Sequence, residues 1–334
     1  MRYFVNMLTI IKRKAFLFHK RCRTYKIPTS AASPEAHHAC VPVSETSKLA
    51  QRIPCQSWDS HMHVVDPARY PLSAKALYIP HPHSLADAEA FEATLGISNV
   101  VLVQPSIYGF DNSCLLDALR QLGPHRGRGV VVIDPENADQ RELAQWHVFG
   151  VRGVRVNLRS VGSTLSGEEL KATLRRHAEI IRPFGWAIQV YMPLSQLPDI
   201  EECIPRLGVK FIVDHFGTPD LSSVAGRSTF NPYDIPGFGS MVRLLQAGQT
   251  YVKISGPYRF STNPEMKDVR VLLKELLDVA RNRVVYASDW PHTRFEGFDI
   301  RPFTELCLQL CGDDEEMVDR LFRRNAEELW DVSR

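Results

Sequence analysis

The sequence lacks several features that define large classes of protein. No apolar run approaches the ~20 residues that a helix needs to cross a bilayer, so no membrane-spanning role is expected. The seven cysteines are dispersed and form no CxxC pair, a pattern that does not predict a disulfide framework. No GxGxxG motif follows a strand-like segment, which leaves a dinucleotide-binding fold without specific support.

Positive charge is also scarce outside the N-terminal segment. Residues 1–34 carry eight Lys or Arg and no Asp or Glu, which leaves 32 basic and 38 acidic residues for the rest of the chain. This remainder has a net charge of −6, so it lacks the basic surface on which nucleic-acid binding depends. A nucleic-acid partner is therefore not expected.

The first 52 residues are interpreted as a basic N-terminal extension and linker, 1–52. Their acid-free, partly amphipathic beginning is typical of a mitochondrial presequence, and a plain tail on a cytoplasmic protein has the same composition. Three consecutive basic residues, Lys12, Arg13 and Lys14, interrupt the apolar run that a secretory signal needs. The predicted location is therefore mitochondrial or cytoplasmic.

From residue 53 onward, short β-type runs alternate with segments of helical character. Several runs are continuous in Val and Ile, such as VVLV and VVVI, which is typical of parallel strands buried on both faces. The predicted strands are Ser57–His61, Asn99–Gln104, Gly129–Ile133, Gly153–Asn157, Ala187–Tyr191, Lys210–His215, Tyr251–Ser255 and Val284–Ser288. The predicted helices are Leu85–Leu95, Cys114–Leu122, Ala138–Phe149, Gly167–Pro183, Leu197–Leu207, Met241–Ala247, Glu265–Ala280 and Phe303–Gly312.

This alternation predicts the fold. Eight strands alternating with helices over ~280 residues indicate an α/β protein with a (β/α)8 TIM-like barrel, which we place at residues 53–334. A doubly wound open sheet is the alternative. The longest loop, 217–239, is rich in Gly, Pro and Ser, and in a barrel it would either overhang the active-site face or form a surface excursion.

Side chains that can bind metal or act in catalysis fall at the ends of the predicted strands. The first strand leads into His61 and His63, whose spacing of two directs both side chains to the same face. His215 ends the sixth strand, and Asp289 follows the eighth. Active sites of (β/α)8 barrels lie at the C-terminal ends of the strands, so we expect these four side chains to converge.

The motifs around these residues resemble a known superfamily. An HxH after the first strand, a later strand-end His and a last-strand Asp are similar to the signature of the amidohydrolase superfamily, which has the metallo-dependent hydrolase type of barrel. The segments WDSHMHVVDP, LVQPSIYGFDN, GVRGVRVNLR, VDHFG, VKISGPYR and ASDWPH resemble its amidohydrolase-related branch, typified by 2-pyrone-4,6-dicarboxylate lactonase. The resemblance extends from about residue 55 to the C-terminus.

The resemblance implies a hydrolase that opens a lactone or related cyclic ester bearing carboxylates. Asp289 would activate water, and His61, His63 and His215 would polarise the carbonyl. Two alternatives stay open. One is a mononuclear metal-dependent decarboxylase or amide hydrolase on the same barrel, and the other is a non-catalytic binding protein that retains the pocket.

Further residues at the predicted strand ends and in nearby loops suit an anionic substrate. Guanidinium groups bind carboxylates through paired hydrogen bonds and keep their charge at all working pH values. The predicted substrate-binding residues are Tyr78, Ser106, Arg155, Arg159, Tyr191, Arg259 and His292. We therefore expect a small-molecule anionic substrate and no nucleic-acid or membrane partner, and we leave a homo-oligomer open.

The resemblance also bears on the cofactor. Many superfamily members bind two metal ions bridged by a carboxylated lysine at a mid-barrel strand end, where this chain has Tyr191. The lactonase that it resembles works without a required metal, so we expect no required cofactor. The alternative is one divalent ion, Zn or Mn, bound by His61, His63, His215 and Asp289.

Overall fold

A computed structural model of the chain describes residues 48–332, and within that range eight parallel strands pair in chain order. The strands are β1 Trp58–Met62, β2 Asn99–Val103, β3 Gly127–Val131, β4 Val151–Asn157, β5 Ala187–Tyr191, β6 Phe211–Val213, β7 Thr250–Ile254 and β8 Val284–Tyr286. Every strand pairs with its sequence neighbour, and helical segments connect them. The predicted (β/α)8 barrel is therefore confirmed.

Helices follow the strands along the described part of the chain. They are α1 Leu85–Leu95, α2 Ser113–Leu122, α3 Gln140–Phe149, α4 Gly167–Ile181, α5 Leu197–Ile200, α6 Phe238–Gln246, α7 Lys267–Ala280, α8 Arg301–Cys311, α9 Glu315–Asp319 and α10 Asn325–Leu329. Two begin at a reciprocal serine cap, because Ser84 and Ser166 each accept from the N–H three residues on while the acid there accepts from the serine N–H.

The barrel closes between β1 and β8, the strands that carry the first and last predicted motifs. The N–H of His63 donates to the carbonyl of Trp290 at 2.9 Å, and the N–H of Asp289 donates to the carbonyl of His61 at 2.9 Å. These bonds place the end of the first motif directly beside the last one.

Apolar side chains fill the barrel interior at the end away from these motifs. Trp58, Val101, Ile212 and Val285 pack there together with Trp330, which follows α10. The indole N–H of Trp330 donates to the hydroxyl of Ser60 at 3.2 Å. The packed interior leaves the carboxyl ends of the strands as the face at which a ligand can bind.

The predicted and observed elements differ most between β5 and β6. The predicted helix Leu197–Leu207 is interrupted, because α5 ends at Ile200 and a 3-10 turn follows at Ile204–Leu207. Pro205 has no N–H to donate, and its ring clashes with the preceding turn of a helix. The short helices α9 and α10 were not predicted, since five residues are too few to show a period.

The N-terminal prediction concerns mainly residues 1–47, which lie outside the described residues. The described end of the linker forms a 3-10 turn, Ala50–Arg52, in which Ala50 is buried. Ala50 packs against Gly96, where an added Cβ would meet the Ala50 carbonyl oxygen at 2.9 Å. No helix in residues 48–332 has the length and apolar character to cross a membrane.

Candidate active site

The four side chains predicted to converge lie together at the carboxyl ends of β1, β6 and β8. His61, His63, His215 and Asp289 are all buried, and none is more than 5% exposed. The ring of His61 lies 5.0 Å from that of His63 and 4.8 Å from that of His215, measured between ring centres. Nε2 of His61 is 3.9 Å from Oδ1 of Asp289.

Two of these residues adopt backbone conformations that side chains rarely tolerate. His215 has a φ of 50° and Asp289 a φ of 65°. The left-handed region costs a residue with a Cβ roughly 1–2 kcal/mol, so it persists only where the surroundings fix it. At Asp289 the fixing bonds are to the His61 carbonyl and from the His292 N–H, both at 2.9 Å.

Hydrogen bonds determine which ring nitrogens face the pocket. Nδ1 of His63 is 2.7 Å from the carbonyl oxygen of Val103. A carbonyl oxygen can only accept, so Nδ1 carries the proton and Nε2 keeps its lone pair. Nδ1 of His215 pairs with the Ser255 hydroxyl at 2.8 Å. Burial lowers the pKa of His63 to about 3 and the pKa of His215 to about 4, so both rings are neutral at neutral pH.

Asp289 is an anion with one free oxygen. Burial alone would raise the pKa of its carboxyl, but the Arg259 guanidinium and the neighbouring histidines hold that pKa well below its usual range. Oδ2 accepts from Nε of Arg259 at 2.5 Å and from the hydroxyl of Tyr258 at 2.8 Å. Oδ1 is buried without a hydrogen-bond partner.

One group of side chains in the described part of the chain has the composition and spacing of a metal site. His61, His215 and Asp289 each offer one ligand atom, and these atoms lie within 4.8 Å of one another. Nε2 of His61 and Oδ1 of Asp289 are buried without a hydrogen-bond partner, which is costly unless another group binds them. Two imidazole nitrogens and a carboxylate oxygen suit zinc or manganese. These residues therefore fit a divalent ion.

A small pocket opens above this group. Five of the predicted substrate-binding residues line it, namely Tyr78, Ser106, Arg155, Tyr191 and Arg259. His63, His215 and Asp289 also face the pocket, whereas His61 lies beneath them. The predicted substrate contacts and the metal-binding group therefore share one space.

The structure places Arg159 outside this pocket. Arg159 follows the end of β4, where its main-chain N–H donates to the carbonyl of Tyr191 at 3.2 Å. Its side chain is exposed. It lines a neighbouring cleft formed partly by the 217–239 loop, beside Thr218 and Asp220. That loop covers this cleft and contributes no residue to the lining of the pocket above Asp289.

His292 is also absent from the pocket lining. It is buried, and its Nδ1 lies 3.1 Å from the hydroxyl of Tyr258. Because the same hydroxyl donates to Asp289, the side chain of His292 acts on Asp289 through Tyr258. Burial lowers the pKa of His292 to about 4, so the ring is neutral at neutral pH.

Sequence reasoning missed a charged network beneath the pocket. Lys253 on β7 is fully buried; its Nζ donates to Oε1 of Gln189 at 2.6 Å and lies 3.8 Å from Oδ1 of Asp214. That Asp214 oxygen is 3.3 Å from Nδ1 of His61. The available signal was the position of Lys253, two residues before Ser255, which directs both side chains to the same face.

Three residues at the mouth of the pocket were also missed. Ser160, Thr293 and Arg294 line it from the loops after β4 and β8. Strand periodicity places side chains only within strands, so no pattern in the sequence could assign these loop residues to the pocket.

Two relatives with similar sequences are named as hydrolases. The chain is 29% identical over 290 residues to the 4-sulfomuconolactone hydrolase of Hydrogenophaga intermedia, which covers 82% of this chain and 91% of the relative. It is 29% identical over 259 residues to the 2-pyrone-4,6-dicarboxylate hydrolase of Comamonas testosteroni, which covers 74% and 80% respectively. The predicted resemblance to the lactonase branch is confirmed.

Solved structures share the barrel. A Pseudomonas putida protein, named as a candidate 2-pyrone-4,6-dicarboxylic acid hydrolase, is 30% identical with a TM-score of 0.69, covering 84% of this chain and 98% of its own. An amidohydrolase of Burkholderia multivorans with bound zinc is 18% identical with a TM-score of 0.65, covering 84% and 100%.

The prediction that no metal is required is wrong. The structure groups His61, His215 and Asp289 as a set that can hold an ion, and the Burkholderia multivorans protein of the same fold was solved with zinc. The prediction relied on the resemblance to a lactonase without a required metal and on Tyr191 in place of a bridging lysine, but a bridge is needed only for two ions. Three side chains from separate strand ends suffice for one. His63, the fourth predicted ligand, is not part of this group.

A family match covers almost all of the described residues. The amidohydrolase family model matches residues 58–332, from the first residue of β1 to the last residue that the structure describes. The match therefore includes every strand of the barrel and all the side chains that converge at its mouth. The chain belongs to the amidohydrolase family.

Proposed function

We propose that the protein hydrolyses a lactone or related cyclic ester that carries carboxylate groups. The observation that carries this proposal is the free, anionic Oδ1 of Asp289 in a pocket lined by Arg155 and Arg259. A carboxylate of this kind takes a proton from water, and arginines orient anionic substrates. The two relatives named as lactone hydrolases support the substrate class.

Asp289 is assigned the role of general base. Its Oδ1 takes one proton from a water molecule while the water oxygen bonds to the ester carbonyl carbon. The ring C–O bond then breaks, and the proton on Asp289 passes to the leaving oxygen, which restores the carboxylate. The pKa of Asp289 lies well below its usual range, so the base is ionised before substrate arrives.

His63 is assigned to orient the water. Its Nε2 can accept a hydrogen but cannot donate one at neutral pH, because Nδ1 holds the proton against the Val103 carbonyl. This nitrogen is 3.9 Å from Oδ1 of Asp289, and a water between the two atoms would donate one hydrogen to each. The role replaces the direct carbonyl polarisation that the sequence suggested for His63.

His61, His215 and Asp289 are assigned to hold one divalent ion. When bound, such an ion supplies Lewis-acid polarisation of the ester carbonyl and lowers the pKa of water. The protein keeps its ligand atoms available, because burial lowers the pKa of both histidines and Arg259 keeps Asp289 charged. Around the substrate, Ser106, Tyr78 and Tyr191 offer hydroxyls to its oxygens.

The test uses 2-pyrone-4,6-dicarboxylate and 4-sulfomuconolactone, the compounds for which the relatives are named. Asp289→Asn preserves the size of the side chain and removes its ability to take a proton. We expect kcat to fall roughly 10²–10⁴-fold, the usual contribution of a positioned base, with an unchanged circular dichroism spectrum. The matched control is Asp278→Asn, which removes an exposed acid of α7 that bonds only Lys274.

Two results would count against the proposal. Near-normal turnover by Asp289→Asn would remove Asp289 from the role of base. If the wild-type protein, loaded with zinc or manganese, opened neither ring, the proposed substrate class would be wrong.

A further inference from the structure

The charges of the three arginines that line the pocket are not equally available. Arg155 lies 3.5 Å from Oδ2 of Asp214, and Arg259 donates from Nε to Oδ2 of Asp289 at 2.5 Å. Both are at least nine-tenths buried, so their carboxylate partners compensate them in a poorly solvated environment.

Arg294 is different, because its charge has no carboxylate partner. Its guanidinium forms no ion pair with any side chain that the structure describes and lies over the ring of Tyr78, with Cζ 5.0 Å from the ring centre. Glu296 is close, but its Oε1 accepts from the main-chain N–H of Arg294 at 3.2 Å. Arg294 is therefore the pocket-lining arginine with an uncompensated charge.

The position of Arg294 is set by two loops. It follows β8 in a tight turn, where the N–H of Phe295 donates to the carbonyl of His292 at 2.7 Å and Arg294 has a φ of 70°. Tyr78 comes from the loop between β1 and α1. The two side chains meet at the mouth of the pocket, and the tyrosine ring restricts where the guanidinium can go.

We propose that Arg294 selects substrates with a second anionic group, by pairing with that group at the pocket mouth while the ester lies above Asp289. The second group is an oxyanion, either a carboxylate or a sulfonate, on the same molecule as the ester. The proposal rests on the proposed function for the identity of the reacting ester. It deepens that function by naming the residue that recognises the second anionic group.

The test measures binding and needs no turnover. Three planar, unreactive probes are titrated calorimetrically into the metal-loaded protein: benzoate with one anionic group, isophthalate with two carboxylates, and 3-sulfobenzoate with one of each kind. In Arg294→Gln we expect the Kd of both dianions to rise roughly tenfold or more, as for the loss of a charge-assisted hydrogen bond. The Kd of benzoate should stay within about twofold, since Arg155 and Arg259 remain.

Two control variants isolate the charge of Arg294. Arg301→Gln removes an exposed arginine of α8 that pairs with Asp299, and it should leave all three Kd values unchanged. Arg294→Lys keeps the charge without the planar fork, so it should recover part of the affinity for both dianions. Loss with isophthalate alone assigns the second group as a carboxylate, and loss with 3-sulfobenzoate alone assigns it as a sulfonate.

The inference is overturned if Arg294→Gln weakens benzoate as much as the dianions, or if it weakens none of the probes. These outcomes are separable from failure of the proposed function. A protein that binds dianions through Arg294 but opens no lactone retains the inference and loses the ester chemistry. If the wild-type protein opens lactones, but Arg294→Gln binds every probe as tightly as the wild type does, the proposed function stands and the inference fails.

Discussion

A single buried lysine lies beneath His61, one of the three candidate metal ligands. Lys253 has no exposed surface, and burial lowers the pKa of its ammonium group to about 7 although Asp214 lies beside it. Despite burial, His61 and Lys253 hold the pKa of Asp214 well below its usual range. The carboxylate therefore stays charged beside Nδ1 of His61, which favours a fixed orientation of that ring.

Removal of this lysine should cost both stability and metal affinity. Lys253→Met keeps most of the length of the side chain but leaves Asp214 as a buried anion with fewer partners. We therefore expect the free energy of unfolding to fall by roughly 3 kcal/mol. The measurements are urea denaturation and zinc titration. Lys274→Met is the control, because its pair with Asp278 is exposed to solvent and contributes little to stability. Equal stability of Lys253→Met and wild type would show that Asp214 needs no cation.

Among individual residues, the sequence predicts those whose position follows from strand periodicity. His61 and His63 are found because they end an apolar strand two residues apart, and Asp289 because it follows another. Lys253 was not found, since the burial of its charge depends on Gln189 and Asp214, which belong to distant parts of the chain. That compensation can be seen only when the strands have been assembled.

Among the elements, α1 and the two closing strands are joined by a pair of buried acids. Oδ1 of Asp59 accepts from the N–H of His61 at 2.9 Å and from the N–H of Ser288 at 3.0 Å, so one carboxylate oxygen ties β1 to the end of β8. Glu92 of α1 is buried against it. Burial and the adjacent Asp59 raise the pKa of Glu92 well above its usual range, which favours the protonated acid in the folded protein.

This arrangement predicts a pH-dependent effect of Glu92→Gln. Above about pH 4.3 an unfolded glutamic acid releases its proton while the folded wild type keeps it, so wild-type stability falls by about 1.4 kcal/mol per pH unit for that proton. Glutamine mimics the neutral acid and has no proton to lose. The variant should therefore gain stability relative to wild type as the pH rises from 5 to 8.

Urea denaturation at several pH values measures the difference. Glu89→Gln on the same helix is the control, because Glu89 is partly exposed and pairs with Arg126, and its difference from wild type should not grow with pH. If Glu92→Gln and wild type lose stability in parallel as the pH rises, Glu92 is ionised in the folded protein and its contact with Asp59 needs another account.

The sequence predicts element type well and element ends less well. β5 is found at its observed limits because it is a short apolar run, whereas the predicted Gly129–Ile133 lies two residues beyond β3, Gly127–Val131. The charged Arg128 is not a residue typical of a buried strand. In the fold its Nε donates to the carbonyl of Trp330 at 3.0 Å, a bond to a residue 202 positions away that the local sequence cannot show.

For the molecule as a whole, the barrel brings together ligands that are far apart in the sequence. The three candidate ligands are His61 from β1, His215 from the turn after β6 and Asp289 from the turn after β8. The barrel closes where β1 and β8 meet. The eightfold alternation predicted this convergence, because the carboxyl ends of all strands meet at one mouth. It did not decide between a metal-free site and a site for one divalent ion, since that depends on which buried atoms are left without partners.

Metal removal should therefore act on the entire fold as well as on activity. An ion that binds only the folded protein adds roughly 2.7 kcal/mol of stability when it is present at about 100 times its Kd. We expect chelation to lower Tm by several degrees and to abolish turnover, and stoichiometric zinc or manganese to restore both. In His61→Asn the Tm should be almost insensitive to zinc, because the first ligand is missing. An unchanged Tm of the wild type with and without the ion would show that these three side chains do not bind it, and Nε2 of His61 would then have to be satisfied by water.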